Sequence, residues 1–348
     1  MRICMSRNGN LIERGIDIPT ERTLTVIDVG HGNSAVLTCG DTVVVIDAGP
    51  KGGLLEYLLQ QGLESIDAVL ISHADEDHLG GLTALISSGR FQINQIRVNT
   101  DSSKKSATYD DVLYAISKMN NVGDLDFEPA LTVNYKFTLA DGMVFVDVLG
   151  PSTYLAGKGP GSTDRHGRKL RSNSVSAVIR ISADNRPIAL LPGDLDEIGL
   201  DDLLDNGVDP AAPILLFPHH GGRAGPAEAG EEFSHALCKI VSPSVVVFST
   251  GRKRAHNPRP EIIQAIRRAL PDVRVFCTQL SEYCAASTPE KDPPHLNNVF
   301  CRGRERKECC AGSIIIDLNN PDDILPLYAD VRKFISEEAP TALCQQGI

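Results

Sequence analysis

Tryptophan is absent from the 348 residues, and aromatic side chains together make up only 5%. A chain so poor in aromatics offers no evident row of platforms on which the bases of a single strand could stack. Long apolar runs are missing too. None approaches 18 residues, so no transmembrane helix is expected, and residues 1–22 lack the apolar centre of a secretory signal. The expectation is a cytoplasmic protein with no membrane association. Basic charge is in deficit: 34 Lys and Arg face 45 Asp and Glu, a formal net charge of −11. That balance argues against broad nonspecific nucleic-acid binding, which needs a basic surface, while leaving room for local basic patches. The nine cysteines include no Cys-x-x-Cys knuckle. In a chain without a secretion signal they read as thiols or metal ligands rather than disulfides. What remains is ordinary for a globular protein, with 42% hydrophobic and 23% charged residues. The length suits one large domain with insertions or two small ones.

The most informative stretch runs from Ile71 to Gly81. Two histidines and two aspartates fall within six residues, as His73-x-Asp75-x-Asp77-His78. The apolar segment 67–72 before it reads as a buried strand, and a helical pattern follows Gly80-Gly81. The cluster therefore sits on a loop at the C-terminal end of a strand, where a loop folding back on itself lets ligands converge. Imidazole with carboxylate suits zinc, manganese or iron, and two facing sets suit a pair of ions.

Around it the chain alternates strands and helices. Strands are predicted at 23–30, 35–39, 42–49, 93–98, 131–139, 143–149, 175–181, 187–191, 212–217, 244–249, 273–278 and 313–318. Residues 40–41 and 141–142 are read as turns. Helices are predicted at 53–61, 109–119, 233–240, 261–270 and 322–338. Residues 151–172 read as a long loop carrying Lys158, Arg165, His166, Arg168, Lys169 and Arg171, and loops of that length are often functional.

The motif resembles that of the metallo-β-lactamase superfamily, usually His-x-His-x-Asp-His, with Asp75 in place of the second His. With other segments it is similar to the hydrolase domain of the ComEC competence proteins and their stand-alone relatives. Asp28-Val29-Gly30-His31-Gly32-Asn33-Ser34 resembles their Asp-Val-Gly-Gln-Gly-Asp/Asn-Ser, with His31 where Gln is usual. Ile46-Asp47-Ala48-Gly49 resembles their Ile-Asp-x-Gly, and Ser172-Asn173-Ser174 their Asn-Ser segment. Gly193-Asp194 and Pro218-His219-His220-Gly221 resemble two further site loops. The resemblance implies an αββα sandwich with the hydrolase domain over 23–320 and insertions near 151–172 and 279–312. Residues 1–22 would be a tail or edge strand, and 321–348 a terminal helix and tail.

It also implies a site. His73, Asp75, Asp77, His78, Asp194 and His219 or His220 are the expected ligands of two divalent ions, Zn or Mn. Asp194 is preferred over Asp196 as the bridging carboxylate. Of the two adjacent histidines one should bind metal and the other serve beside it, with a lean to His219. Asn173 is expected to face the metals or a bound phosphate, with His166 a lesser candidate, and His256 matches a family histidine near the scissile group. Asp28 and Asp47 read as bracing carboxylates. Asp75 in place of His makes one site richer in oxygen and shifts preference toward manganese, zinc remaining open.

Two such ions would hold a hydroxide at neutral pH and neutralise charge building on a phosphoryl group. Basic runs at 165–171, 252–254 and 302–307 favour a phosphodiester substrate, nucleic acid or another, over a neutral one. The resulting expectation is a metal-dependent phosphodiesterase or nuclease, in which Asp77, His256 and Asn173 act at the reaction centre. A small-molecule hydrolase of a phosphoester, lactone or thioester, or a weakly active regulatory module, are the alternatives. Cys277, Cys284, His295, Cys301, Cys309 and Cys310 are a candidate structural zinc cluster.

Overall fold

The computed structural model describes residues 21–345, apart from 122, 124, 140, 141, 225, 226, 253 and 254. The tail expected at 1–22 therefore lies outside the described residues up to position 20, and Arg22 already belongs to the first strand. Asp141 of the expected turn and the cations at 253 and 254 also lie outside them.

Two seven-stranded sheets face each other. The first has the order β14-β1-β2-β3-β4-β5-β6. Its strands are β1 (Arg22–Val26), β2 (Ser34–Cys39), β3 (Thr42–Ala48), β4 (Ser65–Ile71), β5 (Gln92–Val98), β6 (Asp126–Glu128) and β14 (Ile314–Asp317). The second runs β13-β12-β11-β10-β9-β8-β7. It consists of β7 (Lys136–Leu139), β8 (Val144–Gly150), β9 (Val178–Ala183), β10 (Arg186–Leu191), β11 (Ile214–Leu216), β12 (Val245–Phe248) and β13 (Arg274–Cys277).

Period-two alternation decides which core each residue enters. Ala35, Leu37, Val44, Ile46, Ala68 and Leu70 point between the sheets. Val36, Val43, Val45, Val69 and Ile71 point the other way, under helices. On that outer face lie α1 (Gly53–Gln60), α3 (Gly81–Ser87) and α4 (Ala107–Asn120), burying residues such as Leu54, Tyr57, Leu58, Leu82, Val112 and Ile116. The short helix α2 (Glu76–Leu79) follows β4 directly, and α5 (Thr153–Lys158) lies within the long loop at 151–172. The second sheet is covered by α6 (Glu197–Asp205), α7 (Ala227–Val241), α8 (Pro260–Ala269) and α9 (Ile324–Glu338). Helix, sheet, sheet, helix is the αββα sandwich.

Several local expectations change. The strand expected over 131–139 is a turn followed by the four residues of β7, and β6 and α6 were not anticipated. Helix α7 begins six residues earlier than its apolar pattern. The C-terminal helix is part of the sandwich, since Ile324, Val331, Phe334 and Ile335 join the core of the second sheet. No described helix is long and apolar enough to cross a membrane.

The parallel strands position the site. β3, β4, β5 and β6 run parallel, as do β10, β11, β12 and β13. The loops after β3 and β4 in one sheet, and after β10, β11 and β12 in the other, therefore open at strand C-termini. Helix α9 supplies a test of its own. Phe334 is only 5% exposed, and Phe334→Ala should destabilise the whole domain by about 3 kcal/mol. Chemical denaturation should show one cooperative transition with a lower midpoint; a separate early transition would make α9 an independent unit.

Candidate metal centre

The loop after β4 carries Ser72, His73 and Asp75, and α2 carries Asp77 and His78. Ser72 and His73 follow the buried end of β4, Ala68 to Ile71, and are themselves buried. At the end of β3, Asp47 adopts φ 56°, a left-handed conformation rare for non-glycine residues. That bend turns its carboxylate onto the neighbouring loop. Asp47 Oδ1 accepts from the Ser72 backbone N–H at 2.7 Å, and Oδ2 from Ser72 Oγ at 3.0 Å and from His78 Nδ1 at 2.7 Å. With Nδ1 donating to Asp47, His78 Nε2 is aimed inward, 3.3 Å from Asp194 Oδ1. Asp47 thus orients a candidate ligand, the common arrangement behind metal-bound imidazoles.

From the second sheet, β10 leads into Gly193-Asp194. Gly193 sits at φ 56°, and a Cβ there would collide with Ser72 Cβ at 2.7 Å and with the Ser72 and Ser176 hydroxyls. Only glycine lets the two sheets' loops approach this closely. The Asp194 backbone N–H donates to Ser176 Oγ at 3.1 Å. Asp196, by contrast, caps α6, accepting from Gly199 N at 3.0 Å and Ser174 Oγ at 2.6 Å, so its oxygens are already committed.

The adjacent histidines after β11 both adopt left-handed backbone, at φ 54°. Such strain persists only where the surroundings impose it. The turn sends the two rings apart. His220 Nδ1 donates to the Ser249 carbonyl at 2.9 Å, leaving Nε2 3.2 Å from Asp77 Oδ2 and 4.0 Å from Asp194 Oδ1. His219 takes the other side of Asp194: its backbone N–H donates to Asp194 Oδ1 at 2.8 Å, and Nε2 donates to the Leu195 carbonyl at 3.1 Å. The sequence leaned to His219. The geometry puts His220 in the cluster and gives His219 the outer role of fixing Asp194.

Two groups of three side chains result. His73, His78 and Asp194 form one, and His31, Asp77 and His220 the other; within each, the ligand atoms lie within 4.8 Å of one another. These are the only such groups among the described residues, so the cysteines at 277–310 do not gather as a metal site there. The donor set fits a divalent cation. His73 Nε2 is fully buried with no hydrogen-bond partner, a costly state for a polar atom unless a cation receives its lone pair. Burial, reinforced by His78, pulls the His73 pKa down to about 4, so the ring is a neutral ligand at pH 7. Burial also opposes charge on His78, but Asp194 and Asp47 outweigh it and raise its pKa well above the usual value. Against burial, the neighbouring histidines hold the Asp77 and Asp194 carboxyls below the usual range. Both stay carboxylates at neutral pH.

The remaining expected residues separate. Asp75 is beside the cluster, Oδ2 3.9 Å from His73 Nε2, but its Oδ1 pairs with Lys104. Asn173 lines a cavity on the same side as Asp75. His256 is not in either group; it is exposed and holds Glu282 at 3.0 Å. Its neighbour Asn257 reaches the site instead, donating to the His219 carbonyl at 3.2 Å. His166 lies out on the long loop against Arg165 Nε, 3.1 Å away. One residue was missed. His31, read only as a departure from a usual Gln, stands with its ring 4.5 Å from that of His220 and Nε2 3.9 Å from Asp77 Oδ2. The departure itself was the signal that could have found it.

Residues 27–93 match the family model of the metallo-beta-lactamase superfamily. The chain is 24% identical to competence protein ComA of Neisseria gonorrhoeae over 268 residues, 75% of this chain and 31% of that protein. It is 23% identical to ComE operon protein 3 of Bacillus subtilis (strain 168) over 216 residues, 62% of this chain and 24% of the other. The chain thus spans less than a third of the length of these curated relatives. Among solved structures, Igni18, a metallo hydrolase from Ignicoccus hospitalis KIN4/I, superposes with a TM-score of 0.42 at 17% identity, covering 73% of this chain and 94% of that one.

Metal affinity tests the assignments. Asp47→Asn places a donor where His78 Nδ1–H needs an acceptor and should weaken zinc affinity roughly 10- to 100-fold. His220→Ala should cut the metal retained after dialysis more than His219→Ala does. Elemental analysis of the three variants checks this, and equal retention in the two histidine variants would reverse the assignment.

Proposed function

We propose that this metallo-β-lactamase superfamily domain is a metal-dependent hydrolase whose scissile bond is a phosphodiester, worked on by two divalent ions, Zn or Mn. One observation carries the reading: two ligand groups, His73/His78/Asp194 and His31/Asp77/His220, meet where the segments after β1, β4, β10 and β11 converge, with Asp194 Oδ1 3.3 Å from His78 Nε2 and 4.0 Å from His220 Nε2. A carboxylate between two imidazoles from different groups could be shared by two ions. Bound there, divalent ions would lower the pKa of water and neutralise phosphoryl charge.

The chain's own groups do the rest. Asp47 keeps His78 in one tautomer and one orientation, and Ser249 does the same for His220. His219 and Ser176 hold the Asp194 carboxylate and backbone in place. The burial of His73 and His78 excludes water from behind the ligands, while Asp75 and Asp77 are partly exposed. His256 has no part in this reading while Glu282 holds it.

The basic runs support a phosphodiester more narrowly than the sequence implied. Arg252 is buried and donates to the Leu280, Ala285 and Ala286 carbonyls. Arg302 pairs with Glu56, Arg306 with Glu308, and Arg304 bonds carbonyls at Leu296 and Val299. Arg165 pairs with Asp205, and Arg168 with Asp164 and Asp201. Among the described residues most cations of these runs are compensated internally, so a short phosphodiester suits the chain better than a long duplex held along its backbone.

Hydrolysis of bis(p-nitrophenyl) phosphate, single-stranded and double-stranded DNA, with manganese, zinc or a chelator, tests the reading. Turnover of the small diester should need metal and should fall by at least about a hundredfold in Asp77→Ala, the loss expected when a metal-centred site loses a ligand. Turnover of a lactone or thioester with every diester untouched would move the protein to a small-molecule hydrolase. Cleavage of long duplex faster than the small diester would make it a nuclease proper.

A further inference from the structure

Beside the metal centre is a cavity of about 390 Å³ whose walls include Asp75, Ser103, Lys104, Lys169, Arg171 and Asn173. The long loop at 151–172 sorts its cations here. Arg165 and Arg168 are spent on Asp164, Asp201 and Asp205. Lys169 and Arg171, from the same loop, are exposed, line the cavity and have no ion-pair partner among the described residues. The acids of the cavity are already engaged. Asp101 accepts from Ser103 N at 2.9 Å, Ser103 Oγ at 2.6 Å and Ser172 Oγ at 2.6 Å, and Asp75 pairs with Lys104. Three cations and two hydrogen-bonded carboxylates leave local positive charge in a chain of net −11. No aromatic side chain lines the cavity, so nothing there stacks on a base. Its donors are ammonium, guanidinium, hydroxyl and carboxamide, the groups that hold a phosphate. Asp75 belongs to both places: one oxygen is 3.9 Å from His73 Nε2 and the other is on Lys104. A ligand bridging the two would span one carboxylate.

We propose that this cavity is a second phosphate subsite, so that the substrate is a phosphodiester carrying a further phosphate one nucleoside unit from the scissile one. Lys169 and Arg171 supply its free charges, and Lys104, held by Asp75, ties the subsite to the metal centre. The proposal rests on the phosphodiesterase reading for what the neighbouring centre does, but its own content is a binding preference that can be measured without turnover.

The test is calorimetric titration of the full chain, as purified with its metal, with thymidine 3′,5′-bisphosphate and thymidine 5′-monophosphate. The wild type should bind the bisphosphate more tightly by about tenfold or more, as expected of one added charge-assisted phosphate contact. In Lys169→Ala/Arg171→Ala the ratio of the two affinities should collapse toward one. A control pair that removes the same charge elsewhere, Lys118→Ala/Lys136→Ala, should keep it. Equal affinity for both ligands in the wild type, a ratio that survives the double variant, or an equal fall in the control each overturn the subsite. Bis(p-nitrophenyl) phosphate turnover, measured in parallel, judges the parent reading separately. Discrimination without turnover would leave the subsite standing and remove the phosphodiesterase; turnover without discrimination would do the reverse.

Discussion

The bond on which the site depends is the one from His78 Nδ1 to Asp47, 2.7 Å long and wholly buried. It begins a line of alternating charge, Asp47 to His78 to Asp194 to the His219 and His220 turn, that crosses from the first sheet to the second. Among the described residues the two sheets share no strand hydrogen bonds, and apolar packing between them has no directional preference. Polar groups at the strand ends therefore help fix how the two halves meet. Buried charge is tolerated only in such company. Each carboxylate in the line has an imidazole or an N–H against it, and removing any one member leaves its neighbours unsatisfied.

The same line explains why the residues fit a cation. Without one, His78 is driven toward its protonated form by Asp194 and Asp47, while His73 stays neutral. A proton on His78 then balances part of the carboxylate charge. A divalent ion held by these residues would supply that balance and take the place of the proton, and affinity at such sites rises with pH. His73, neutral and with no hydrogen-bond partner at Nε2, would gain a partner from such an ion without losing a proton.

Much of this was legible in the chain. The alternating strands are unambiguous where both faces are buried, as at 35–39 and 42–48, because each face demands its own apolar set. The loop at 73–78 stood out because four ligand-grade side chains fall within six residues; three of them, His73, Asp77 and His78, stand in the two groups, while Asp75 pairs with Lys104. What failed did so for physical reasons. Neighbouring residues in regular strand point to opposite faces, but His219 and His220 lie in a left-handed turn, and only the Ser249 carbonyl, 29 residues on, decides which ring turns inward. The basic runs looked alike in sequence, while Arg252 proved to be an internal brace whose carbonyl partners lie 28 to 34 residues away. His256 followed the pattern of the motif but not its setting, since Glu282, from the segment that departs from that pattern, captures it.

That segment, 279–312, is more than an appendage. Asp28 is fully buried at the end of the first sheet. It accepts from Gln279 Nε2 at 2.9 Å and the Gly303 N–H at 3.1 Å, and Cys309 Sγ stands 3.6 Å away. The same carboxylate accepts from the Gly30 N–H at 3.1 Å and so shapes the turn that presents His31. Gly251 closes the other side: a Cβ there would meet the His31 backbone, which leaves the loop no room to withdraw. One way the insertion acts on the site is through this carboxylate, which fixes the backbone carrying the His31 imidazole beside Asp77. The histidine at 31 and the insertion that anchors its loop go together, a candidate ligand and the scaffold that holds it.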